Sequence, residues 1–345
     1  MAKRNRKALI RVLVTLLLVI LASGLFLAWV IFAPNTVHIQ KATFFYVPTG
    51  AVYGDVVDSL ASRRLLRHPR NFQEVAGLLD YPNRVIAGRY RLTEGMSNFE
   101  LIRLLRSGRQ IPVRLVINKE RTAADMARLL SRELEPDSAA FMALFNDSVY
   151  LKQYQRNPYT ALCGIIPNTY QFFWNTSATA TLERLSEEAD KFWNAQRQAA
   201  ADSLGLDEQQ VYILASIIEE ESNKTREKPL IASVYINRLR RGIRLYADPT
   251  VKFALQDFAL KRINRAQTQV QSPYNTYIFA GLPPGPICTP SITTIDAVLQ
   301  APETDYLYFC AKPDFSGYHN FASTYREHLR NARAYHRALD QRNIH

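Results

Sequence analysis

Three consecutive glutamates at the end of an apolar stretch are the residues of this sequence best suited to acid–base chemistry. Glu219, Glu220 and Glu221 follow the largely apolar residues 211–218. At about 100° per residue of a helix, Glu220 points away from most apolar side chains, whereas Glu219 and Glu221 fall beside them. We therefore expect Glu220 to be solvated and the other two to be partly covered. A carboxyl held against apolar groups has a raised pKa and can act as a general acid near neutral pH.

The elements around these glutamates can be placed coarsely. The pattern predicts a helix that begins at residues 207–208 and carries the glutamates, and a second helix over 230–241. A further helix is predicted over 181–197. Turn signals dominate afterwards, and the prolines of 281–286 predict a stiff loop. A strand over 306–311 and a basic helix over 323–342 close the chain.

Upstream, three segments each predict a short strand, a polar turn and a helix, with their turns near residues 47–50, 92–95 and 117–120. Ser97 with Glu100 and Thr122 with Asp125 have the spacing of capping boxes. The three segments are either copies of an internal repeat or unrelated strand–turn–helix units, which resemble one another because the same residue types favour each of their parts. The aromatic stretch 164–174 carries no charge, and it fits either a buried turn or the wall of a sugar-binding cleft.

The N-terminus predicts a membrane anchor. The first eleven residues carry five basic side chains, and residues 12–33 carry no charge. These 22 residues would form about 33 Å of helix, enough to cross a bilayer core. The stretch is longer than the apolar region of a signal peptide and lacks a clear cleavage site, which favours an uncleaved anchor. By the positive-inside rule the N-terminus stays in the cytoplasm and residues 34–345 lie on the other side of the membrane.

Composition narrows the function classes. The net charge of +12 in 345 residues includes +5 from the N-terminal tail. The remainder has a mild basic excess, and together with an exported position this argues against nucleic-acid binding. The three cysteines form no C-x-x-C motif, and the six histidines show no metal-ligand spacing. No phosphate-binding loop or G-x-S-x-G motif is present.

Several sequence blocks, in order, resemble the YceG-like family of endolytic murein transglycosylases. The run Leu214-Ala215-Ser216-Ile217-Ile218-Glu219-Glu220-Glu221 resembles the catalytic helix of that family. Further similar blocks extend the resemblance from about residue 44 to 337; they lie at 47–50, 87–92, 95–97, 167–170, 232–239, 248–251, 274–277, 281–287 and 306–309. The chain departs from the family pattern at Cys163 and Asn168, where many relatives carry acidic residues.

The resemblance implies an α+β protein with four parts. These are a cytoplasmic basic tail over 1–11, a transmembrane helix over 12–33, a small LysM-like α/β module over 34–115 and a larger mixed α+β catalytic domain over 116–345. It also implies a substrate, the glycan strands of peptidoglycan. Cell-wall synthases of the penicillin-binding class are candidate protein partners, and no metal or cofactor is expected.

The resemblance also assigns roles to single residues. The catalytic glutamate of the family maps onto Glu219, and the second acid maps onto Glu221. Neutral groups expected to orient sugars are Ser216, Asn237, Tyr274, Asn275 and Thr276, and groups expected to order the site are Arg238 and Asp248.

One acid can suffice for such a reaction. Glu219 would protonate the oxygen that joins N-acetylmuramic acid (MurNAc) to N-acetylglucosamine (GlcNAc). Its carboxylate would then take the proton of the muramyl 6-hydroxyl, which attacks the anomeric carbon and leaves a 1,6-anhydroMurNAc end. Such cleavage would end the elongation of nascent strands. Two alternatives remain at this point. A muramidase would hydrolyse the same bond and would need a second carboxylate, with Asp248 or Glu221 as candidates, and a peptidoglycan-binding scaffold would need no catalysis.

Overall fold

The computed structural model describes residues 2–37, 39, 43–260 and 262–342, and these residues form two compact units. Unit 1 comprises residues 1–113 and 171–176, and unit 2 comprises 114–170 and 177–345. Helices predominate and the strands are short, so the mixed α+β class is as predicted. His38 and His345, two of the six histidines considered above, lie outside the described residues.

Unit 1 begins with one long apolar helix and continues as a small α/β arrangement. Residues Arg6–Phe32 of the first helix are long and apolar enough to cross a membrane. The two strands of the unit pair antiparallel, with Thr43 opposite Leu92. The elements that begin in this unit are α1 Ala2–Phe32, β1 Thr43–Val47, α2 Tyr53–Ser62, α3 Pro69–Leu78, β2 Gly88–Leu92, α4 Asn98–Ser107 and β3 Val113–Val116. Residue 113 is the last residue of the first part of the unit, so most of β3 belongs to unit 2.

The three predicted strand–turn–helix segments are present. They are β1 with α2, β2 with α4, and β3 with the helix α5 at Ala123–Glu133. The first two turns place Gly50 and Gly95 at φ of 80° and 81°, a conformation that glycine adopts without strain. Both predicted capping boxes form, because Ser97 and Thr122 each accept a hydrogen bond from the backbone N–H three residues later. The local prediction is therefore confirmed for these segments.

Unit 2 is built around one buried helix. Its remaining elements are α6 Ser138–Asn146, α7 Ser148–Lys152, β4 Thr169–Phe172, α8 Ala178–Phe192, α9 Ala195–Leu204, α10 Glu208–Glu221, α11 Lys228–Arg240, α12 Asp248–Leu255, α13 Ile292–Leu299, β5 Tyr308–Ala311, β6 His319–Ala322 and α14 Tyr325–Gln341. Strand β4 runs into the segment 171–176 of unit 1. Three short 3-10 helices lie at Ala161–Gly164, Thr225–Glu227 and Gln267–Gln269.

Helix α10 forms the centre of the unit 2 core, because all residues from Val211 to Ile218 are buried. Helices α11, α12 and α13 pack around it. The single helix predicted over 181–197 is wrong, because α8 ends at Phe192 and Asn194 caps a new helix by accepting a hydrogen bond from the Arg197 N–H. An asparagine side chain that satisfies a free backbone N–H favours a helix start over helix continuation.

Strands β5 and β6 form an antiparallel hairpin with Tyr308 opposite Ala322, and α14 packs against it. All three cysteines are free thiols. Cys163 and Cys288 are buried, and Cys310 is partly exposed. Among the described residues, no cluster of histidine, cysteine and acidic side chains could hold a metal ion.

Candidate active site

The three glutamates lie at the C-terminal end of helix α10, and the helix before them is buried. Its first turn is closed by a capping box in which Asp207 accepts from the Gln210 N–H and Gln210 accepts from the Asp207 N–H. At the other end Ser222 is extended, with φ −146°, and terminates the helix. Because the eight residues before Glu219 are buried, the last helical turn is held in place by the core.

The carboxylate of Glu219 is anchored through one of its two oxygens. Lys228 Nζ lies 2.8 Å from Glu219 Oε2, and Ser291 Oγ donates to the same oxygen at 3.0 Å. The hydroxyl of Thr294 also donates to Oε2. Oε1 accepts none of the hydrogen bonds made by the described residues, so one carboxylate oxygen remains available to a substrate.

The raised pKa expected for Glu219 is not what the structure gives. Burial by itself would raise this pKa, but the ammonium of Lys228 and the hydroxyls of Thr294 and Ser291 stabilise the carboxylate and lower the pKa below its usual value. The helical phase correctly places Glu219 beside buried groups, since its side chain is 16% exposed. The sequence pattern did not reveal the cation from the next helix, which reverses the direction of the shift.

An open cleft of about 400 Å³ lies in front of Glu219 within unit 2. Asn118 and Lys119 form part of its wall, and Thr289 joins that wall to the loop before α13. Thr289 Oγ1 donates to the Asn118 carbonyl at 2.9 Å and accepts from the Glu120 N–H at 2.9 Å. Among the described residues that line this cleft, Glu219 carries the only carboxyl group.

The predicted motif Pro167-Asn168-Thr169 contributes a further part of the lining. The Asn168 carbonyl accepts from the Ile117 N–H at 2.9 Å, which fixes the motif beside the other wall. These three residues line the cleft, whereas none of the aromatic side chains of the stretch 164–174 does. Tyr170 and Phe172, which follow, are buried.

Glu220 was expected to be solvated, and this expectation is wrong. Its side chain is only 18% exposed and pairs with two cations, Lys119 Nζ at 2.7 Å and Arg121 at 3.1 Å. Burial would raise its pKa, but these two cations hold it below the usual value. Both cations come from a segment about one hundred positions away in sequence, which helical phase cannot detect.

Among the three consecutive glutamates, Glu221 is the one whose pKa is raised. Burial, and then the nearby negative charge of Asp248, raise it to about 7. The Oε2 atom of Glu221 is buried and has no hydrogen-bond partner among the described residues. Asp248 is the first residue of α12, and its Oδ1 accepts from the Tyr277 hydroxyl at 2.6 Å. Glu221 and Asp248 thus form a second acidic centre, and neither lines the Glu219 cleft.

Three residues that were expected to orient sugars are instead bonded inside the protein. Ser216 is fully buried and links the Ile213 carbonyl to the Ile287 N–H. Asn275 binds the Thr268 and Val270 carbonyls, and Thr276 Oγ1 accepts from the Ala247 N–H and bonds to the Thr250 hydroxyl. The prediction that Ser216, Asn275 and Thr276 orient sugars is therefore corrected. All three are buried, and their polar atoms bind neighbouring protein groups, so a ligand cannot reach them.

Two of the other predicted residues, Asn237 and Arg238, form hydrogen bonds with the backbone of nearby loops. Asn237 donates to the carbonyls of Thr304 and Tyr306, and the guanidinium of Arg238 donates to those of Leu307 and Leu245. An ordering role for Arg238 fits these bonds, and the NH2 group of Asn237 is likewise used to hold the loop at 304–306. Tyr274 is half-buried against Phe253 and Tyr159, with ring centroids 4.6 and 6.4 Å away.

Sequence reasoning missed Lys228, Ser291 and Thr294, which hold the Glu219 carboxylate. Lys228 is only 5% exposed and lies at the start of α11, where Pro229 sets the beginning of the helix. Its neighbour Glu227 is also buried and accepts from the Ser222 hydroxyl at 2.7 Å and from the His319 N–H at 3.0 Å. The only signal in the sequence was the pair Glu227-Lys228 before the apolar part of α11. Adjacent acidic and basic residues at such a position usually indicate a solvated turn.

The chain is similar to proteins of known family. A model of the YceG-like family matches residues 45–334. An endolytic murein transglycosylase of Bacillus subtilis is 27% identical over 303 residues, which cover 82% of this chain and 81% of that protein. One from Streptococcus pneumoniae is 26% identical over 329 residues, which cover 86% of this chain but 59% of that longer protein.

A solved structure shares the fold. The crystal structure of a YceG-like protein from Listeria monocytogenes has a TM-score of 0.54 and 24% identity, with coverage of 85% of this chain and 99% of that one. The family model spans most of unit 2 and much of unit 1. It includes Glu219, the cleft motif at 167–169 and Lys228. On this evidence the chain belongs to the YceG-like family.

Proposed function

We propose that this chain is an endolytic murein transglycosylase, which cuts the MurNAc–GlcNAc bond within peptidoglycan strands and leaves 1,6-anhydroMurNAc ends. The observation that carries the proposal is the position of Glu219. It has one anchored and one unoccupied oxygen, and it is the only carboxyl among the described residues that line the cleft. The relatives from Bacillus subtilis and Streptococcus pneumoniae bear the name of this activity.

The reaction uses Glu219 twice. As an acid it gives its proton to the glycosidic oxygen, and the bond from that oxygen to the anomeric carbon of MurNAc breaks. As a base it takes the proton of the muramyl 6-hydroxyl, whose oxygen forms the new bond to the same carbon. The proton lost in the first step is regained in the second, so no water is consumed and no second catalytic carboxylate is needed.

The acid step needs a proton on Glu219, whose pKa lies below its usual value in the protein alone. A glycan that fills the cleft removes water from the free Oε1 side, and this desolvation raises the pKa. Lys228 and the two hydroxyls keep Oε2 fixed while this happens. We infer that Oε1 carries the transferred proton, since it is the oxygen without a partner among the described residues.

A hydrolytic alternative is not favoured. Hydrolysis of the same bond normally uses two carboxyl groups on either side of it, about 5–9.5 Å apart. The two candidates for a second carboxyl, Glu221 and Asp248, are absent from the lining of the Glu219 cleft. Asn168, which also lines the cleft, is neutral, so Glu219 is the single acid among the described residues there.

The test is product analysis on purified peptidoglycan, with the full-length chain in detergent. The wild type is expected to release fragments with anhydromuramyl ends. The Glu219→Gln variant is expected to release them at a rate at least about a hundredfold lower. Glu221→Gln is the matched control on the same helical turn and should retain the same products. Reducing ends, heavier by one water, would establish a hydrolase instead, and activity retained in Glu219→Gln would move the catalytic role elsewhere.

The membrane-proximal part is proposed to be a LysM-like module. Its order of strand, two helices and strand, with the two strands antiparallel, supports this. We propose the boundaries 34–115 for the module and 116–345 for the catalytic domain. Glycan binding by the module is tested by sedimentation of the full chain with insoluble peptidoglycan after substitution of exposed side chains on α2 and α3.

We also propose that the chain is a single-pass protein of the inner membrane. The charge-free stretch over 12–33 would span the bilayer, and the basic tail over 1–11 supports a cytoplasmic N-terminus. A phosphatase reporter at the C-terminus, active only outside the cytoplasm, checks the orientation. At the outer face of this membrane the enzyme would end the elongation of nascent glycan strands. The partner that we propose is a penicillin-binding synthase, and co-purification of a synthase after cross-linking in cells tests this partnership.

A further inference from the structure

The C-terminal end of α1 is docked on unit 1 by specific contacts. The rings of Phe32 and Phe99 lie 5.6 Å apart, and Asn98 Nδ2 donates to the Val30 carbonyl at 2.8 Å. Val30 is 9% exposed and belongs to the hydrophobic core of this unit. The end of the helix and the body of unit 1 are therefore one packed structure, and the helix fixes which face of the unit is nearest to the bilayer.

The residues that face the bilayer can be identified from the hydrogen bonds just after the helix. Asn35 Oδ1 accepts from the His68 N–H at 2.6 Å, and the Asn35 carbonyl accepts from the Arg67 N–H at 2.8 Å. The ring of His68 packs on Trp29, with centroids 5.7 Å apart. The headgroup layer is about 5–7 Å thick on each side of the hydrocarbon core. Arg67 and His68 therefore lie at the headgroup level when α1 spans the core.

Four arginines lie close to this point in the sequence. The residues, which we name the headgroup arginines, are Arg63, Arg64, Arg67 and Arg70, and all four are exposed. None of them forms an ion pair with a described residue. No acidic residue occurs between Asp58 and Glu74. Four like charges within eight residues repel one another, so an external anion would stabilise this segment.

We propose that the headgroup arginines bind the phosphate groups of anionic phospholipids in the membrane that α1 spans. The planar guanidinium matches phosphate geometry and can donate two parallel hydrogen bonds to it. This inference rests on the membrane anchor proposed above and adds a lipid-binding site beside it. Bound phospholipid would hold unit 1 in one orientation on the bilayer surface.

The depth of the segment distinguishes lipid from the other anionic partner, the peptide carboxylates of peptidoglycan. The segment that carries the headgroup arginines pairs with the chain four residues after the end of α1, where Thr36 forms an isolated bridge with Leu66. Side chains at this depth reach lipid phosphates without any rearrangement of the unit. Wall polymer would have to enter the headgroup layer to reach the same arginines.

The test uses the full-length chain in nanodiscs that contain equal amounts of phosphatidylglycerol and phosphatidylcholine, with native mass spectrometry of the lipids that remain bound. The variant changes Arg63, Arg64, Arg67 and Arg70 to Gln. The matched control changes four exposed arginines of α14 to Gln, at Arg326, Arg330, Arg333 and Arg337. We expect the wild type and the control to retain phosphatidylglycerol over phosphatidylcholine at least about tenfold more strongly than the variant, since each arginine near an anionic surface contributes about fivefold.

Equal enrichment of phosphatidylglycerol in the wild type and the variant would overturn the inference. If the variant also loses sedimentation with peptidoglycan, the arginines are assigned to the wall polymer instead. Failure of the full chain to enter nanodiscs would overturn the anchor and the inference together. Product analysis on peptidoglycan in the same samples reports the transglycosylase proposal independently, because the arginines lie outside unit 2.

Discussion

Lys228 Nζ lies 2.8 Å from Glu219 Oε2 and 2.6 Å from the hydroxyl of Thr294, and the lysine side chain is 7% exposed. A buried ammonium this close to the proposed acid opposes its protonation. It also fixes one carboxylate oxygen and leaves the other toward the cleft. The same contact therefore lowers the pKa of Glu219 and orients it.

Replacement of Lys228 by Met should move the pH profile of the enzyme toward higher pH. Without the ammonium the charged form of Glu219 loses its main stabilisation, so the pKa of Glu219 rises. Because the acid step needs the protonated form, kcat/KM increases as pH falls through the pKa of the free enzyme, and a higher pKa shifts this limb upward. We expect a shift of at least about one pH unit, measured as kcat/KM against pH on purified glycan strands.

Lys228→Arg is the matched control for this experiment. It retains a cation and a donor, so its profile should stay close to that of the wild type. A Lys228→Met enzyme that loses rate equally at every pH, without a displaced limb, would contradict the role in setting the pKa and would indicate a structural role alone.

Thr294→Val should weaken the anchoring of Glu219 without removal of the cation. Thr294 is fully buried and contacts both the carboxylate and Lys228. Valine has a similar shape but cannot donate, so the pKa of Glu219 rises less than in Lys228→Met, and kcat falls by about tenfold. Single-turnover cleavage of labelled strands measures the fall. Thr179→Val, an exposed threonine of α8 that does not line the cleft, is the control and should be close to neutral.

The sequence predicts the helix and its glutamates correctly, but it does not predict the cations that pair with those glutamates. Helical phase identified Glu219 and Glu221 as covered, because the period of an α-helix fixes which side chains share a face. The charge partners come from distant segments: Lys119 and Arg121 reach Glu220, and Lys228 reaches Glu219. Phase therefore gave the wrong environment for Glu220 and the wrong direction of the pKa shift for Glu219.

Polar residues in motif blocks were harder to assign. Ser216, Asn275 and Thr276 have the side chains that bind sugars, yet the same groups are needed to satisfy buried loop backbone. Sequence alone does not distinguish the two uses, since both favour hydroxyl and amide side chains. The burial and hydrogen bonds of Asn275, whose amide donates to two carbonyls of its own loop, settle it in favour of the loop.

Glu221→Gln should remove a pH dependence of stability in unit 2. The pKa of Glu221 is about 7 when folded and near 4.5 when unfolded. Between these values the folded state binds more protons than the unfolded state, so the free energy of unfolding falls as pH rises from about 4.5 to 7. The loss is at most about 3 kcal/mol. Chemical unfolding at several pH values measures it, and the Gln variant, which cannot ionise, should lack this loss.

The control for this measurement is Glu187→Gln, an exposed carboxyl in α8. It should leave the pH dependence of stability unchanged. If Glu221→Gln and the wild type lose stability in parallel between pH 5 and 8, the buried, ionisable character assigned to Glu221 is contradicted. A variant that is more stable than the wild type at pH 8 but equal to it at pH 5 is the expected pattern.

Glu227 should be one of the most important polar residues for the stability of unit 2. It is 4% exposed and accepts from the Ser222 hydroxyl, from the His319 N–H and from the His319 ring, whose Nδ1 lies 2.9 Å from Oε1. These bonds join the end of α10 to the β5–β6 hairpin. Glu227→Ala leaves several buried polar groups unpaired and should lower the free energy of unfolding by about 2–4 kcal/mol.

Urea unfolding at constant pH measures the loss in Glu227→Ala, with Glu187→Ala as the exposed control. Glu227→Gln separates charge from hydrogen bonding, because the amide oxygen still accepts from Ser222 while the ring of His319 loses a charged partner. We expect it to fall between the wild type and Glu227→Ala. A loss below about 1 kcal/mol in Glu227→Ala, similar to a surface substitution, would mean that water replaces the carboxylate at little cost and that the hairpin does not depend on it.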